Sequence, residues 1–199
     1  MMTMMMVIVV APAQARTHVT CRSGRTVQAN AKARVFWVGH RLYACASRAR
    51  KPLLLYEESV PCPADSSSGC DAVDGVRLAS RYVAVAWEVQ QRDGTFSAAV
   101  VFDVIARKRV RARYTPQQSG WSYGIADLEV TTHGGLGVIE VAQYAGLYPT
   151  PPTYEVRKQD ANGSAVLDSG PDIDPSSLAL STGTLYWTRG AEAHSAPIH

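Results

Sequence analysis

The stretch GVRLASRYVAVAWEVQQRDGTFSAAVVFDVIARKRVRARY, residues 75–114, predicts four consecutive antiparallel strands. Leu78 begins the first, Tyr82–Val89 forms the second, and Phe96–Val104 follows the hairpin signal Asp93-Gly94 as the third. In the final segment, RVRARY, arginines alternate with apolar residues, a pattern typical of a half-exposed strand. We therefore expect an outer fourth strand whose arginines face solvent and block pairing with another sheet edge.

Three further stretches share this outline of strand, turn and second strand. They are ARVFWVGHRLYACAS (33–47), ADLEVTTHGGLGVIEVA (126–142) and SSLALSTGTLYWTRG (176–190). The repeat spacing, roughly 40 to 55 residues, is that of a four-stranded propeller blade. Helical periodicity is hardly present. The sequence thus predicts an all-β fold, a small propeller-like ring of about four blades, with a β-sandwich or irregular barrel as the alternative.

The last repeat has room for only three strands before the sequence ends. We therefore expect the segment around residues 18–29 to supply its outermost strand and so close the ring. A ring also predicts that Tyr43, Val85, Val138 and Tyr186 occupy equivalent positions on strands near one axis.

The first fifteen residues, MMTMMMVIVVAPAQA, predict a signal peptide. A short apolar run, Met4–Val10, precedes the cleavage pattern Ala13-Gln14-Ala15, although no Lys or Arg comes before it. The run is too short to span a bilayer. We expect a signal peptide over 1–15, a single domain over 16–199, and a secreted or extracytoplasmic protein without a membrane span.

All four cysteines lie in the first third of the chain, and an even number behind a signal peptide indicates disulfides. Three pairings are possible. We favour Cys62 with Cys70, which would close a Ser/Gly-rich loop, and Cys21 with Cys45. Because there is no C-x-x-C pair, a zinc site is disfavoured.

Composition bounds the class of protein without naming an activity. The chain has 199 residues, of which 46% are hydrophobic and 19% charged, with a formal net charge of +3. This suits one globular domain with a real core. Such a small charge gives no reason to expect nucleic acid as a partner.

The stretches VVFDVIARKRVRARY, TYEVRKQDANGSAVLDSG and SLALSTGTLYWTRGAEAHSAPI carry a resemblance over most of residues 30–199. They resemble the strand and hairpin patterns of exported actinobacterial proteins of unknown function with propeller-type repeats. They are more distantly similar to TolB-like propellers. The resemblance implies an exported binding or scaffold module, and fold alone does not fix function further.

GWSYG, residues 120–124, matches the G-x-S-x-G outline of a hydrolase nucleophile elbow around Ser122. An elbow needs a strand before the serine and a helix after it, and neither flank fits well. A triad of Ser122, Asp172 and His194 can still be written, so an esterase stays open as an alternative. We favour a Gly-flanked turn.

Two other kinds of catalytic or metal site can be considered. A pair of carboxylates could serve a glycosidase, if the fold brought two together. The candidates are Glu88, Asp103, Asp127, Glu129 and Glu140. The histidines are scattered at His18, His40, His133, His194 and His199, without metal-ligand spacing. We expect no metal, no cofactor and no catalytic residue.

Aromatic residues fall into two groups. Tyr43, Trp87, Tyr186 and Trp187 belong to predicted second strands and are expected to fill the space between blades.

The second group is Trp121, Tyr144 and Tyr148, which fall in predicted loops, where aromatics are typical of ligand or partner surfaces. The sequence thus favours an exported, non-catalytic binding or structural module, with this face meeting an unknown protein or cell-envelope ligand. A secreted hydrolase is the alternative.

Overall fold

The computed structural model describes residues 19–58, 71–91 and 94–199, and in these ranges the chain forms strands and no helix. The all-β prediction is confirmed. The predicted signal peptide, His18 and the predicted Cys62–Cys70 bridge lie outside the described residues. No helix in the described ranges is long and apolar enough to cross a membrane.

The strands form four antiparallel meanders in chain order. The first contains β1 (Arg25–Ala29), β2 (Ala33–Val38), β3 (Arg41–Ala46) and β4 (Leu53–Glu57). The second contains β5 (Asp71–Ala79), β6 (Tyr82–Gln91), β7 (Gly94–Asp103) and β8 (Lys108–Tyr114). The third contains β9 (Trp121–Val130), β10 (Leu136–Tyr144), β11 (Thr153–Asp160) and β12 (Gly163–Gly170). The fourth contains β13 (Ala179–Ser181), β14 (Thr184–Arg189) and β15 (Glu192–Pro197).

By hydrogen bonding, the described strands make three open sheets. The first and fourth meanders are separate sheets, whereas the second and third are joined by one parallel pairing of Thr95 on β7 with Ser122 on β9. None of the three sheets in the described residues closes on itself. The irregular barrel considered from the sequence is therefore wrong.

The apolar run YVAVAW builds β6 as a strand covered on both faces. Val83 and Val85 pack into a cluster with the first meander, while Ala84 and Ala86 pack into a cluster with the third. All four residues are fully buried, because successive strand residues point to opposite faces and both faces carry a neighbouring sheet. The second meander thus lies between the first and the third.

The first strands of the four meanders are neighbours in chain order. β1 contacts β5, β5 contacts β9, and β9 contacts β13. Polar contacts mark each step: the Gln28 side chain donates to the Val76 carbonyl at 3.0 Å, Arg77 pairs with Asp127 at 3.2 Å, and the Leu178 backbone N–H donates to Asp127 at 3.2 Å.

Two predictions about strand order are wrong. β1, at residues 25–29, pairs with β2 of its own meander instead of completing the fourth. The first repeat is consequently shifted by one strand relative to the others. Tyr43 lies on the third strand of its meander, whereas Val85, Val138 and Tyr186 lie on second strands, so the four positions are not equivalent. Alternation alone could not show that another strand precedes β2.

Of the aromatics expected between meanders, two pack as predicted. Trp87 packs on the cluster between the first and second meanders, and Trp187 is buried in a cluster with the third. Tyr43 is buried instead within the first meander, against Phe36 and Cys45. Tyr186 is 43% exposed, because its neighbour Trp187 takes the inward face of β14.

The prediction that all three arginines of β8 face solvent is also wrong. Arg109 is exposed, but Arg111 and Arg113 are half-buried. Arg111 donates to the Gly134 carbonyl at 2.8 Å, and Arg113 pairs with Glu140 on β10. Since the third meander covers this face of β8, the side chains tie two meanders together.

The predicted bridge between Cys21 and Cys45 is confirmed, with a Cα–Cα distance of 5.7 Å. It fixes the segment before β1 to β3. Arg34 strengthens the same attachment by donating to the Cys21 carbonyl at 2.7 Å and to the Ser23 carbonyl at 3.1 Å.

Candidate functional site

Three aromatic side chains, Trp121, Tyr123 and Tyr144, meet where β9 begins and β10 ends; we call them the aromatic rim. Trp121 lies directly opposite Tyr144 across the strand pair, and their ring centroids are 5.7 Å apart, edge to face. Tyr123 is two residues along β9, on the same face, and its ring stacks on Trp121 with centroids 5.9 Å apart. All three rings are half-buried.

The backbone around the rim leaves little room for change. Gly120 has φ +77°, and an added Cβ would come within 3.0 Å of the Tyr144 ring. Gly94, at the start of β7, lies so close to the Trp121 carbonyl that a Cβ would meet it at 2.2 Å. Both positions therefore require glycine, because the backbone packs directly against the Tyr144 ring and the Trp121 carbonyl.

The loop after β10, residues 145–152, extends the rim into solvent. Its Leu147 is 93% exposed and its Tyr148 85%. Thr150 fixes the base of the loop to Tyr144 through backbone and hydroxyl bonds of 3.2 and 3.3 Å. Tyr148 is thus exposed in the loop beside the rim, and among the described residues no ring contact joins it to Trp121 or Tyr144.

Two hollows of about 190 Å³ flank the rim. The neutral hollow beside Trp121 has no charged side chain among the described residues that line it, which are Gly94, Thr95, Phe96, Gln117, Gln118, Ser119 and Trp121. The charged hollow beside Tyr123 includes Arg113, Glu140, Glu155 and Arg157. Gln118 connects the rim to the neutral hollow, because its side-chain oxygen accepts a bond from the Tyr123 hydroxyl at 3.2 Å.

Sequence reasoning found Trp121 and Tyr144 but missed Tyr123 and the two glutamines. The W-x-Y spacing was the available signal, since residues two apart on a strand share a face. The sequence predicts loops at Trp121 and Tyr144, which is wrong: both lie on strands, at the start of β9 and the end of β10. The glutamines had no pattern of their own.

A third hollow, the central hollow, has a volume of about 470 Å³ and is lined from the first strands of all four meanders. Its lining residues are Gln28, Ala29, Arg77, Leu78, Ala79, Glu129, Val130 and Leu180. Two of the predicted carboxylates, Asp127 and Glu129, meet here around Arg77, at 3.2 and 3.3 Å.

The chemistry of the central hollow is mostly that of a structural ion cluster. Asp127 accepts bonds from Arg77 and from the backbone of Leu128 and Leu178, so its carboxylate is fully engaged. Burial raises the pKa of Glu129, although Arg77 beside it acts in the opposite direction. The guanidinium between the two carboxylates bridges them.

The remaining predicted carboxylates do not join them. Asp103 pairs with Arg81 within the second meander, and Glu140 pairs with Arg113 and Arg157. Glu88 interacts with Asp74, a residue that the sequence reasoning did not single out. Burial, with the charge of Glu88, raises the pKa of Asp74 to about 6.

Ser122 lies inside β9, opposite Gln143, and strand rather than helix follows it. The turn predicted for GWSYG is therefore limited to Gly120, and the helix that an elbow needs is absent from this described segment. His194 belongs to β15 of the fourth meander, where its ring stacks on Trp187. Asp172 accepts the Gly190 N–H through its backbone carbonyl.

The histidines are dispersed. His40 bonds Glu58 at 3.1 Å, His133 lies in the β9–β10 turn next to Thr132, and the His199 backbone N–H donates to Asp160. In the described ranges, no three His, Cys, Asp or Glu side chains come together as a metal site.

No family model matches this chain, and no curated protein matches it. Among solved structures, it is similar to a chain of "Crystal Structure of Mitotic Checkpoint Complex", with a TM-score of 0.34 and 11% identity. The alignment covers 93% of this chain and 67% of that one. A likeness of this size carries no argument about fold or function.

Proposed function

We propose that this protein is an exported, non-catalytic binding module whose ligand surface is the aromatic rim with the adjoining Tyr148 loop. One observation carries the proposal: Trp121 and Tyr144, 23 positions apart in sequence, are in ring contact at the surface, with Tyr123 stacked beside them. Clustered Trp and Tyr side chains that stay accessible are typical of recognition surfaces.

The architecture we propose for the scaffold is a small ring of four blades. Each meander would be one blade, with its first strand innermost. Two observations support it: the first strands are neighbours in chain order, and one hollow is lined from all four of them. The ring would hold the rim on strand ends, where geometry is more rigid than on loops alone.

Export to an oxidising compartment is the proposed location. The Cys21–Cys45 disulfide supports it, because such bridges persist mainly outside the cytosol. The signal-like residues 1–15 and the resemblance to exported actinobacterial proteins point in the same direction. A cell-envelope component is accordingly the partner to test first.

The experiment is co-sedimentation of the disulfide-bonded protein with an actinobacterial cell-envelope fraction. The double variant Trp121→Ala/Tyr144→Ala should lose at least nine-tenths of the bound protein, because it removes two of the three rings. Tyr186→Ala is the control: it removes an exposed aromatic on β14, outside the rim, and should bind as the parent does.

Thermal unfolding of all three proteins separates loss of binding from loss of folding. The double variant is folded if it retains a cooperative unfolding transition. The single variant Tyr148→Phe keeps the ring and removes only the hydroxyl, so it is a milder test of co-sedimentation. Equal binding by the parent and the folded double variant would refute the proposed surface.

A further inference from the structure

We propose that the ligand of the aromatic rim is a neutral polysaccharide, bound with one sugar ring in the neutral hollow beside Trp121. The inference rests on the proposed function and names the class of its ligand. It depends on three features of the described residues: the orientation of the rings, the chemistry of the hollow and the balance of nearby charge.

The rings present the kind of surface that a pyranose unit fits. One face of a pyranose is formed by C–H groups, and that face gains by leaving water for an aromatic ring. Trp121 and Tyr123 lie nearly parallel, with 20° between their planes, and Tyr144 meets Trp121 at 61°. Trp121 lines the neutral hollow of about 190 Å³, whereas Tyr123 lines the charged hollow on the other side of the rim.

The hollow supplies polar groups suited to hydroxyls. Gln117 and Gln118 carry amides, and Thr95 and Ser119 carry hydroxyls. Amides and hydroxyls both donate and accept hydrogen bonds, as sugar hydroxyls do, so either direction of bonding can be satisfied. Among the described residues that line the hollow, none carries a formal charge, so a neutral ligand would desolvate no charge of theirs on entering.

The charges on the other side of the rim are already paired with each other. Glu140 forms ion pairs with Arg113 and with Arg157, the latter at 3.1 Å. Arg157 also pairs with Glu155. Two arginines and two glutamates sum to no net charge. Neither an acidic nor a basic ligand would therefore gain from this side, which favours a neutral one.

A protein partner is the competing occupant, because Trp and Tyr also dominate protein interfaces. The hollow distinguishes the two, since its small, uncharged, polar lining suits a single ring-shaped unit better than a flat protein surface. The first arm of the test treats the cell-envelope fraction with proteinase K before sedimentation. A glycan ligand predicts unchanged binding, and loss of binding would overturn it.

The second arm measures isothermal titration with cellohexaose, xylohexaose, mannohexaose and chitohexaose as probes. We expect at least one to bind, with affinity at least tenfold weaker for Trp121→Ala and unchanged for Tyr186→Ala. Gln118→Glu should also weaken binding severalfold, because it places a charge in the hollow.

The outcomes separate this inference from the proposed function. Binding to none of the four probes, with Trp121-dependent, protease-sensitive sedimentation, overturns the glycan and leaves the binding surface standing. Sedimentation that is unaffected by the rim variants refutes both. Binding of a probe that survives Trp121→Ala in the folded protein also overturns the inference, because the sugar would then sit elsewhere.

Discussion

The contact between the first and second meanders combines an apolar cluster with hydrogen bonds to backbone carbonyls, from Gln28 and Arg107, whereas the contact between the second and third combines an apolar cluster with ion pairs. The first is filled by valines, Leu42 and the Tyr56–Trp87 ring pair, and in the described residues no ion pair crosses it. The second has its own apolar cluster, but Arg77 and Arg113 cross it to reach carboxylates on β9 and β10. The two contacts place similar strands face to face with different chemistry.

The difference shows that a stacked meander can be fixed in two ways. Apolar burial is strong but non-directional, so it would tolerate some sliding of one sheet over the next. A guanidinium with two or three defined partners is directional and fixes the relative position of two strands. The aromatic rim lies beside the charged contact, where exact register between β7 and β9 matters most.

The largest effect is expected in the apolar contact. Leu42→Ala removes a fully buried side chain and should lower the free energy of unfolding by about 2–5 kcal/mol, from lost burial and the cavity left behind. Urea unfolding at low and high salt measures it. The loss should be the same at both ionic strengths, and a strong salt dependence would contradict an apolar contact.

A smaller effect is expected in the charged contact. Unlike the effect of Leu42→Ala, it should depend on ionic strength and be larger at low salt, because salt screens ion pairs. Arg113→Ala leaves Glu140, which is 7% exposed, with Arg157 as its remaining guanidinium partner. The free energy of unfolding should fall by about 1–3 kcal/mol, because a buried carboxylate loses a charged donor. Urea unfolding in 0.05 and 0.5 M salt is the measurement.

The matched control is Arg109→Ala on the same strand. Arg109 is exposed and bonds only the Tyr114 hydroxyl, at 3.0 Å, so its loss should cost less than about 0.5 kcal/mol. If the two arginine variants were destabilised equally, β8 would act as a uniformly solvated edge strand, as the sequence alone predicts.

The sequence could predict the apolar contact because its signal is local. Alternating Val and Ala in YVAVAW reports two buried faces within six residues, and the all-β class follows from several such stretches. The charged contact has no local signal. Arg113 and Glu140 are 27 residues apart, and Arg77 and Asp127 are 50 apart, so an arginine in RVRARY looks the same whether it meets solvent or a carboxylate.

The candidate site was predictable to the same extent. Loop aromatics marked Trp121, Tyr144 and Tyr148, but only strand pairing places Trp121 opposite Tyr144 and brings Tyr123 between Gln118 and Trp121. The pairing of β1 could not be predicted for a related reason. RTVQA is short and mostly exposed, so its sequence pattern does not indicate which strand it pairs with.

The smallest effect concerns Asp74, beside Glu88 in the second meander, whose pKa is raised to about 6 by partial burial and then by the Glu88 charge. Because the side chain keeps access to solvent, the effect on stability is small. The folded state holds this proton more tightly than the unfolded chain, where the pKa is near its ordinary value of 3.8. Its contribution to stability is therefore fully present below that value and is lost as pH rises through about 6.

Asp74→Asn keeps the shape of the side chain without the charge. The midpoint of thermal unfolding should rise slightly relative to the parent at pH 8 and match it more closely near pH 4.5, so the difference between the two proteins grows across pH 5–7. All other titratable groups are common to both proteins, so their contributions cancel in the comparison. If the difference in unfolding midpoint stayed constant from pH 4.5 to 8, Asp74 would not be the group that titrates in this range. The second meander would then hold both Asp74 and Glu88 in their charged forms.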